Sequence, residues 1–393
     1  MTRVGFLIAR QAGGWLGGVS YTRNLLAAVR AAGGGIAPVI LVAPGEGAAV
    51  AAKLGADEWI ETVLADQASL AFKTGRALKR LIGRDLLLER ILRRHRIALL
   101  SHSGTIGRGS TIPALTWIPD FQHRRLPQFF SQTQNAARDA VFARTIADSA
   151  CVVLSSADAQ RDLAAFAPSA ERESRVLQFV ADVRAPAGPV DPSWIPDEPF
   201  FLLPNQFWKH KNHVAVIRAL GLLRRQGSPA RVIATGLMED DRHPGYVDEL
   251  RALIATEGVE ADFDARGIVS LDELGALYRA AAAVVNPSYF EGWSTSVEEA
   301  KSLGKRVILS DIPVHREQAP PRGVYVDADD WAALAEVMAA TVAAHDPAVE
   351  AAAMVAALAE LPARIRAFGA TYCTIVADVV AEAAAKHGRR NYV

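Results

Sequence analysis

Asn286-Pro-Ser-Tyr-Phe-Glu-Gly-Trp-Ser-Thr-Ser-Val-Glu-Glu-Ala300 follows the apolar run Ala283–Asn286 and leads into helix-forming residues. A short β-rich run, a glycine-containing turn and a helical pattern make one βα unit, the building block of a parallel sheet. Gly292 lets the backbone approach a ligand closely. Ser294, Thr295 and Ser296 are each suited to cap the helix, whose amide groups and dipole favour an anion such as a diphosphate. Glu291 precedes the helix and Glu299 is expected in its first turn, so two carboxylates flank these amides and can accept hydrogen bonds from sugar hydroxyls. Ser296 with Glu299, three residues on, also reads as a capping box that needs no ligand. Glu291 has no such alternative.

Outward from this stretch the same alternation recurs. Phe200–Leu203, Val232–Thr235 and Val307–Ser310 are further β-rich runs separated by helical patterns; Val4–Ala9, Pro38–Val42, Ile97–Ser101, Ala114–Ile118 and Cys151–Leu154 repeat the arrangement in the first half. Residues 181–197, rich in Pro, Gly and Asp, read as a linker between the two series. A length of 393 residues suits two domains. The expected fold class is therefore α/β, with two Rossmann-like, doubly wound parallel-sheet domains over residues 1–190 and 195–375 facing a central cleft. Ligands would enter that cleft at the carboxyl ends of both sets of strands. The last forty residues, Ala-rich, are expected to be helical, with a helix from about Ala370 to Ala385 crossing back and about 376–393 packing on the first domain.

Half of the residues are apolar and 22% are charged, an ordinary globular balance. Lys+Arg and Asp+Glu number 43 each, so no net field recruits nucleic acid. Cys151 and Cys373 stand far apart and match neither a disulfide framework nor a zinc site. The segment Met1-Thr-Arg-Val-Gly-Phe-Leu-Ile-Ala-Arg10 reads as a first strand, its apolar run being too short for a signal peptide. No apolar run reaches the length of about 18 residues that a membrane span needs. A reduced, cytoplasmic setting is expected.

Glu291 and Glu299 enclose seven residues, with Asn-Pro-Ser before them and Lys301-Ser-Leu-Gly-Lys-Arg-Val-Ile-Leu-Ser-Asp-Ile-Pro313 after. This embedded pattern resembles the paired-glutamate motif of the retaining glycosyltransferases of family 4, among the group 1 glycosyl transferases, which have the GT-B fold. The resemblance implies that Glu291 contacts the transferred sugar and that Glu299 holds the ribose. It also implies that Gly292, Trp293, Ser294 and Thr295 offer amides to the donor's phosphates.

Other stretches extend the resemblance. In Leu203-Pro-Asn-Gln-Phe-Trp-Lys-His-Lys-Asn-His213, Lys211 matches the family's diphosphate-binding lysine, while Gln206 stands where the family has arginine. Glutamine keeps a donor and loses the charge, so its grip on phosphate is weaker, and Lys209 is placed to compensate. Gly13-Gly-Trp-Leu-Gly-Gly18 resembles the family's glycine loop, which would bring Gly17 and Gly18 to donor phosphate and sugar. It is not the Gly-x-Gly-x-x-Gly of nicotinamide-binding domains. In Ile118-Pro-Asp-Phe-Gln-His123 the family's usual His-Asp is replaced by Pro119-Asp120. His123 is the candidate substitute, with Asp120 orienting it or binding a hydroxyl; a structural histidine is the alternative. Arg266-Gly-Ile268 resembles the loop under the nucleobase, where the Ile268 backbone would meet the base, and Arg266 reads equally as an exposed turn.

The Asp262–Asp264 and Asp327–Asp329 pairs lie in polar turns without further metal-ligating residues nearby in sequence. No metal and no cofactor are expected. Between Lys73 and Arg96, nine basic residues interleave with leucine and isoleucine. One reading is a basic amphipathic surface on the inner, anionic face of a membrane; the other is a pair of ordinary helices with leucines inside. The implied reaction moves a sugar from a UDP- or GDP-linked donor to a saccharide or lipid-linked saccharide hydroxyl with retention, in bacterial polysaccharide, lipopolysaccharide or glycoconjugate assembly. A sugar-nucleotide 2-epimerase of the same fold and a non-catalytic binding protein are the alternatives; Pro119 and Gln206 keep the latter open.

Overall fold

A computed structural model of the chain describes residues 1–8, 16–54, 59–65, 69, 72, 74–75, 79, 81–102, 106–183, 185–188 and 190–390. Two compact units form. The first takes Met1–Phe121, Gln132–Phe179 and Ala363–Val393; the second takes Gln122–Ser131 and Val180–Pro362. A contiguous division at 190/195 does not provide for the segment Gln122–Ser131, which leaves the first unit and returns to it at Gln132.

In the first unit β1 (Thr2–Leu7), β2 (Ile36–Val42), β3 (Glu61–Leu64), β4 (Leu99–Ser101), β5 (Ala114–Ile118), β6 (Cys151–Leu154) and β7 (Ser174–Val176) form a sheet of order β3-β2-β1-β4-β5-β6-β7. In the second, β8 (Phe200–Leu203), β9 (Arg231–Thr235), β10 (Phe263–Gly267), β11 (Ala283–Asn286), β12 (Val307–Ser310) and β13 (Gly323–Val326) run in the order β10-β9-β8-β11-β12-β13. All pairings are parallel. Both orders reverse direction after the third strand from the edge, at β1/β4 and at β8/β11, which is where doubly wound sheets open a crevice for ligands.

The second core shows why these residues make these strands. Every residue of β8, β11 and β12 is buried, because helices cover both faces and no polar alternation is needed. Phe201, Leu203, Val285 and Ile308 point to the face packed by the helices His213–Arg225 and Trp331–Ala343. Phe200, Leu202, Val284, Val307 and Leu309 point to the opposite face, against Leu271–Ala280 and Thr295–Ser302. The two-residue period of a strand produces this split.

The Ala-rich end forms one continuous helix from Pro347 to Arg390. Pro362 lies inside it and cannot donate to the carbonyl four residues back; it is also the last residue belonging to the second unit. Beyond it, Gly369 passes so close to the first unit's helix Leu16–Ala32 that an added Cβ would stand 2.0 Å from the Ala28 carbonyl oxygen. Tyr372, fully buried, donates to Ser101 Oγ at 2.7 Å.

Candidate functional site

At the β8/β11 switch point, two loops come together. The loop after β8 ends in the 3₁₀ turn Lys209–Lys211, and the loop after β11 ends in the helix Thr295–Ser302. The Tyr289 amide donates to the His210 carbonyl at 2.9 Å, and Asn212, in the left-handed region with φ 56°, donates from Nδ2 to the carbonyls of Pro287 (3.1 Å) and Ala328 (2.8 Å). Gly236, at φ +137°, closes the floor: a Cβ there would lie 2.6 Å from the Asn205 carbonyl oxygen.

These loops join two of the predicted residues. Lys211 Nζ donates to both oxygens of Glu291, at 2.6 and 2.8 Å, with side chains only 13% and 8% exposed. Ser288 Oγ stands 2.8 Å from Glu291 Oε1 and 2.6 Å from Asn286 Oδ1, and Asn286 Nδ2 reaches Glu291 Oε1 at 3.3 Å. Burial raises the Glu291 pKa, but the charges of Lys211 and His315 and the hydrogen bonds from Lys211 and Ser288 outweigh it and hold the carboxyl below its usual range. Glu291 is therefore a desolvated carboxylate with a cation across it.

The helix beside it is capped by Ser294, whose Oγ accepts from the Val297 amide at 3.4 Å and from Asn286 Nδ2 at 2.8 Å. Thr295 and Ser296 fall inside the helix, so of the three serine and threonine candidates only Ser294 caps. With Ser294 at the cap, the residue facing it three positions on is Val297. The Ser296–Glu299 capping box is consequently absent, and Glu299 lies beyond the first turn rather than in it. Glu299 Oε2 instead accepts from the Tyr278 hydroxyl at 2.7 Å. The Ser294 amide, one of those expected to serve phosphate, is taken by Gln318 Oε1 at 3.1 Å. Thr295 and Ser296 occupy the first turn, where amides have no acceptor within the helix. Gly292 and Trp293 lie in the turn before it, Trp293 being 9% exposed.

Other predicted residues are placed differently. Gln206 follows β8, and its Oε1 is buried without a hydrogen-bond partner among the described residues. Lys209 is turned to Glu249 at 3.8 Å and lies over the Tyr246 ring. Arg266 does not occupy an open turn: it pairs with Asp264 at 2.8 Å, donates to the Trp194 carbonyl at 2.6 Å and stacks over the Trp194 ring. Ile268 is 62% exposed. Gly17 and Gly18 lie in the opening turn of the helix Leu16–Ala32, and the Gly18 carbonyl accepts from Thr22 Oγ1 at 2.9 Å; Gly13 and Gly14 lie outside the described residues. Asp120 follows β5 in the first unit, whereas His123, fully buried, belongs to the short helix Gln122–Arg125 in the second.

The sequence reading missed Asn286, Ser288, Gln318 and His315. Asn286 and Ser288 stood in the sequence only as the Asn-Pro-Ser before the paired glutamates, and Gln318 and His315 had no signal beyond position, in the helix Pro313–Gln318 that follows β12. His315 is buried, its Nδ1 lies 2.9 Å from the Ser310 carbonyl, and burial lowers its pKa. The aspartates of the two Asp-x-Asp pairs are engaged elsewhere: Asp262 by Arg224, Asp264 by Arg266, Asp327 by the Asp329 amide and Asp329 by Tyr289. Among the described residues no group of three or more His, Cys, Asp or Glu is placed to hold a metal ion. A cavity of about 650 Å³ in the first unit, lined by Pro113, Ala114, Ala150 and Val379 among others, opens at the amino ends of β5 and β6, the end of the sheet away from ligand-binding loops. No helix among the described residues is long and apolar enough to cross a membrane.

Residues 190–351 match the family described as glycosyl transferases group 1. A stretch of 133 residues is 30% identical to the O-antigen chain mannosyltransferase RfbU of Salmonella typhimurium (strain LT2), and spans 34% of this chain and 35% of that protein. Among solved structures, a glycosyltransferase from Rickettsia africae ESF-5 superposes with a TM-score of 0.66 at 14% identity, covering 97% of this chain and 98% of that one. Anabaena Alr3699/HepE, in complex with UDP and glucose, gives 0.60 at 15% identity over 99% and 100% of the two chains. WaaG, a glycosyltransferase involved in lipopolysaccharide biosynthesis, gives 0.58 at 12% identity over 93% and 95%. Two parallel-sheet α/β units and these likenesses make the fold GT-B, as the sequence led us to expect.

Proposed function

We propose that the chain, whose residues 190–351 match the group 1 glycosyl transferases, transfers a sugar, with retention, from a nucleoside diphosphate sugar to a saccharide or lipid-linked saccharide hydroxyl in bacterial polysaccharide or lipopolysaccharide assembly. The observation that carries this reading is the buried Lys211–Glu291 pair at the β8/β11 switch point beside a helix N-terminus. Departure of a diphosphate builds negative charge on oxygens; Lys211 and the amides at the start of Thr295–Ser302 are cationic and dipolar groups fixed in place to receive it. Glu291 supplies a carboxylate toward the cation-like sugar, and Glu299, already hydrogen-bonded to Tyr278, accepts from the ribose hydroxyls. Asp120 and His123 serve the sugar or the acceptor. No protein nucleophile is assigned. The cytoplasmic face of a membrane is the proposed location: Leu81, Ile82 and Leu86 are 84%, 44% and 48% exposed near the exposed Arg90 and Arg94, a surface suited to anionic lipid. On the inner side of the same segment Leu88 and Leu92 are core residues, while Arg84 and Arg93 share one partner, the buried carboxylate of Glu89.

Incubation with a panel of radiolabelled UDP- and GDP-sugars and candidate saccharide acceptors tests the reading. Labelled glycoside with retained configuration supports it, an altered free sugar indicates an epimerase, and binding without turnover indicates a scaffold. In the same assay EDTA is expected to leave turnover unchanged; loss restored by manganese or magnesium would overturn the metal-independent scheme. Glu299→Ala is expected to weaken nucleoside diphosphate binding about tenfold, about 1.4 kcal/mol by calorimetry. Unchanged affinity with a lowered Tm would reduce Glu299 to a partner of Tyr278. His123→Ala is expected to cut turnover about tenfold, again about 1.4 kcal/mol in the barrier, with nucleotide affinity retained; full activity in the folded variant would remove it from the reaction.

A further inference from the structure

Arg242 lies in the loop after β9, a stretch that the donor-site reading does not use. Its guanidinium reaches three parts of the second unit at once. Nη1 donates to Gln122 Oε1 at 2.9 Å and Nε lies 3.3 Å from Asp240 Oδ1, while Cζ stands 5.1 Å from the Phe130 ring centre and 5.3 Å from that of Trp208. The side chain is 17% exposed and that of Asp240 1%. The other Asp240 oxygen accepts from the Lys209 amide at 3.1 Å, at the start of the turn that carries Lys211. Phe129 and His243, neighbours in sequence of Phe130 and Arg242, meet edge to face at 5.7 Å.

We infer that Arg242 is a positioning residue, fixing the segment Gln122–Ser131, and with it His123, onto the turn that presents Lys211 to Glu291. The inference rests on the proposed transferase reading for its kinetic consequence. The physical case is one of shape and charge together. A guanidinium is planar, so it offers faces to two aromatic rings while its edge donates to Gln122 and Asp240; an ammonium cannot do all of this. Asp240 neutralises the half-buried cation and passes the constraint to the Lys209 backbone. The His123-bearing segment is thereby built into the unit that holds the donor residues, although its flanking chain belongs to the first unit.

The test combines amide hydrogen exchange of the free protein with kinetics. R242A is expected to speed exchange in 122–131 at least tenfold while leaving 295–302 unchanged, and to lower kcat tenfold or more with KM for the nucleotide sugar within threefold. R242K, which keeps the charge and loses the plane, is expected to behave as R242A. Phe130→Ala is expected to reproduce part of the loss and Phe130→Trp to restore it. Unchanged exchange in 122–131, or faster exchange there with full kcat, overturns the inference, as does full activity in R242K. Uniformly faster exchange across the second unit with a lowered Tm would mark Arg242 as a stability residue only and also overturn it. If the unaltered protein transfers no sugar from any donor, the function reading fails on its own account, and exchange in 122–131 still decides whether Arg242 holds the segment.

Discussion

Lys211→Met is expected to lower sugar transfer by about a hundredfold or more and to destabilise the second unit by about 3 kcal/mol. The first effect follows from removing a side-chain cation bonded to both Glu291 oxygens; single charge-stabilising donors in water-excluded sites are worth about 2.7–4 kcal/mol of barrier. The second follows because Glu291, 8% exposed, would remain as a buried carboxylate held by Ser288 and Asn286 with its ion-pair partner gone, and breaking a buried pair from one side costs about 3–5 kcal/mol. The two effects separate in the double variant. Lys211→Met with Glu291→Gln removes both charges, so most of the stability should return while activity stays lost. The pH dependence supplies a further check. With Lys211 present the Glu291 pKa is depressed, so the pair's contribution is complete above the ordinary carboxyl range and disappears as pH falls through the lowered value. In Lys211→Met the Glu291 pKa rises, and the variant's deficit should shrink as pH falls through that raised value and the carboxyl is neutralised. A Lys211→Met enzyme within threefold of full activity would show that the lysine is a structural partner alone.

How much of this could be read from residue order depends on what surrounds each element. β8, β11 and β12 are legible because they are buried on both faces and therefore unbroken in apolar character. β3, β7, β10 and β13 were not, because edge or near-edge strands are short and partly exposed: Glu61–Leu64 and Ser174–Val176 carry charged residues, and Phe263–Gly267 has Asp264 and Arg266 on an outer strand. Glu291 and Lys211 were legible from their local motifs, although 80 residues separate them. Their hydrogen bond was not, since it depends on the strand order that sets β8 beside β11. The same holds for Glu299 with Tyr278. Arg242 was invisible in sequence because its significance lies in Gln122 and Phe130, more than a hundred residues earlier; no local pattern announces that pairing. Ser294, Thr295 and Ser296 were equivalent as caps by residue type, and only the helix boundary chose among them.

Acidification is expected to destabilise the protein steeply between pH 6.5 and 5, before any carboxylate is involved. Burial is the first cause in each of four histidines: His102 and His213 are pushed down to about 3, His210 lies well below its ordinary value, and His315 is lowered. Their surroundings explain it. His102 is packed among Phe6, Tyr21, Trp117 and Tyr372, and His213 stacks on Phe207 at 4.4 Å; Lys211 and Arg242 add repulsion at His210. A base whose folded pKa is depressed is neutral in the fold and protonates in the unfolded chain below about 6.5, so the unfolded state binds more protons and stability falls with pH. The full contribution is present above about pH 7. Each histidine held near 3 removes about 2 kcal/mol at pH 5, so His102 and His213 together remove about 4 kcal/mol, a large part of an ordinary domain's margin of about 5–15 kcal/mol. Three of the four lie in the second unit, which should therefore melt first in acid. Thermal melts from pH 7.5 to 5 measure this, and His213→Phe, which keeps an aromatic ring against Phe207 and removes the titration, should flatten the curve by about one proton's slope. A Tm that stays level from pH 7 to pH 5, or a His213→Phe curve parallel to that of the unaltered protein, would mean that these rings take up protons in the folded state and that their burial is relieved by local opening.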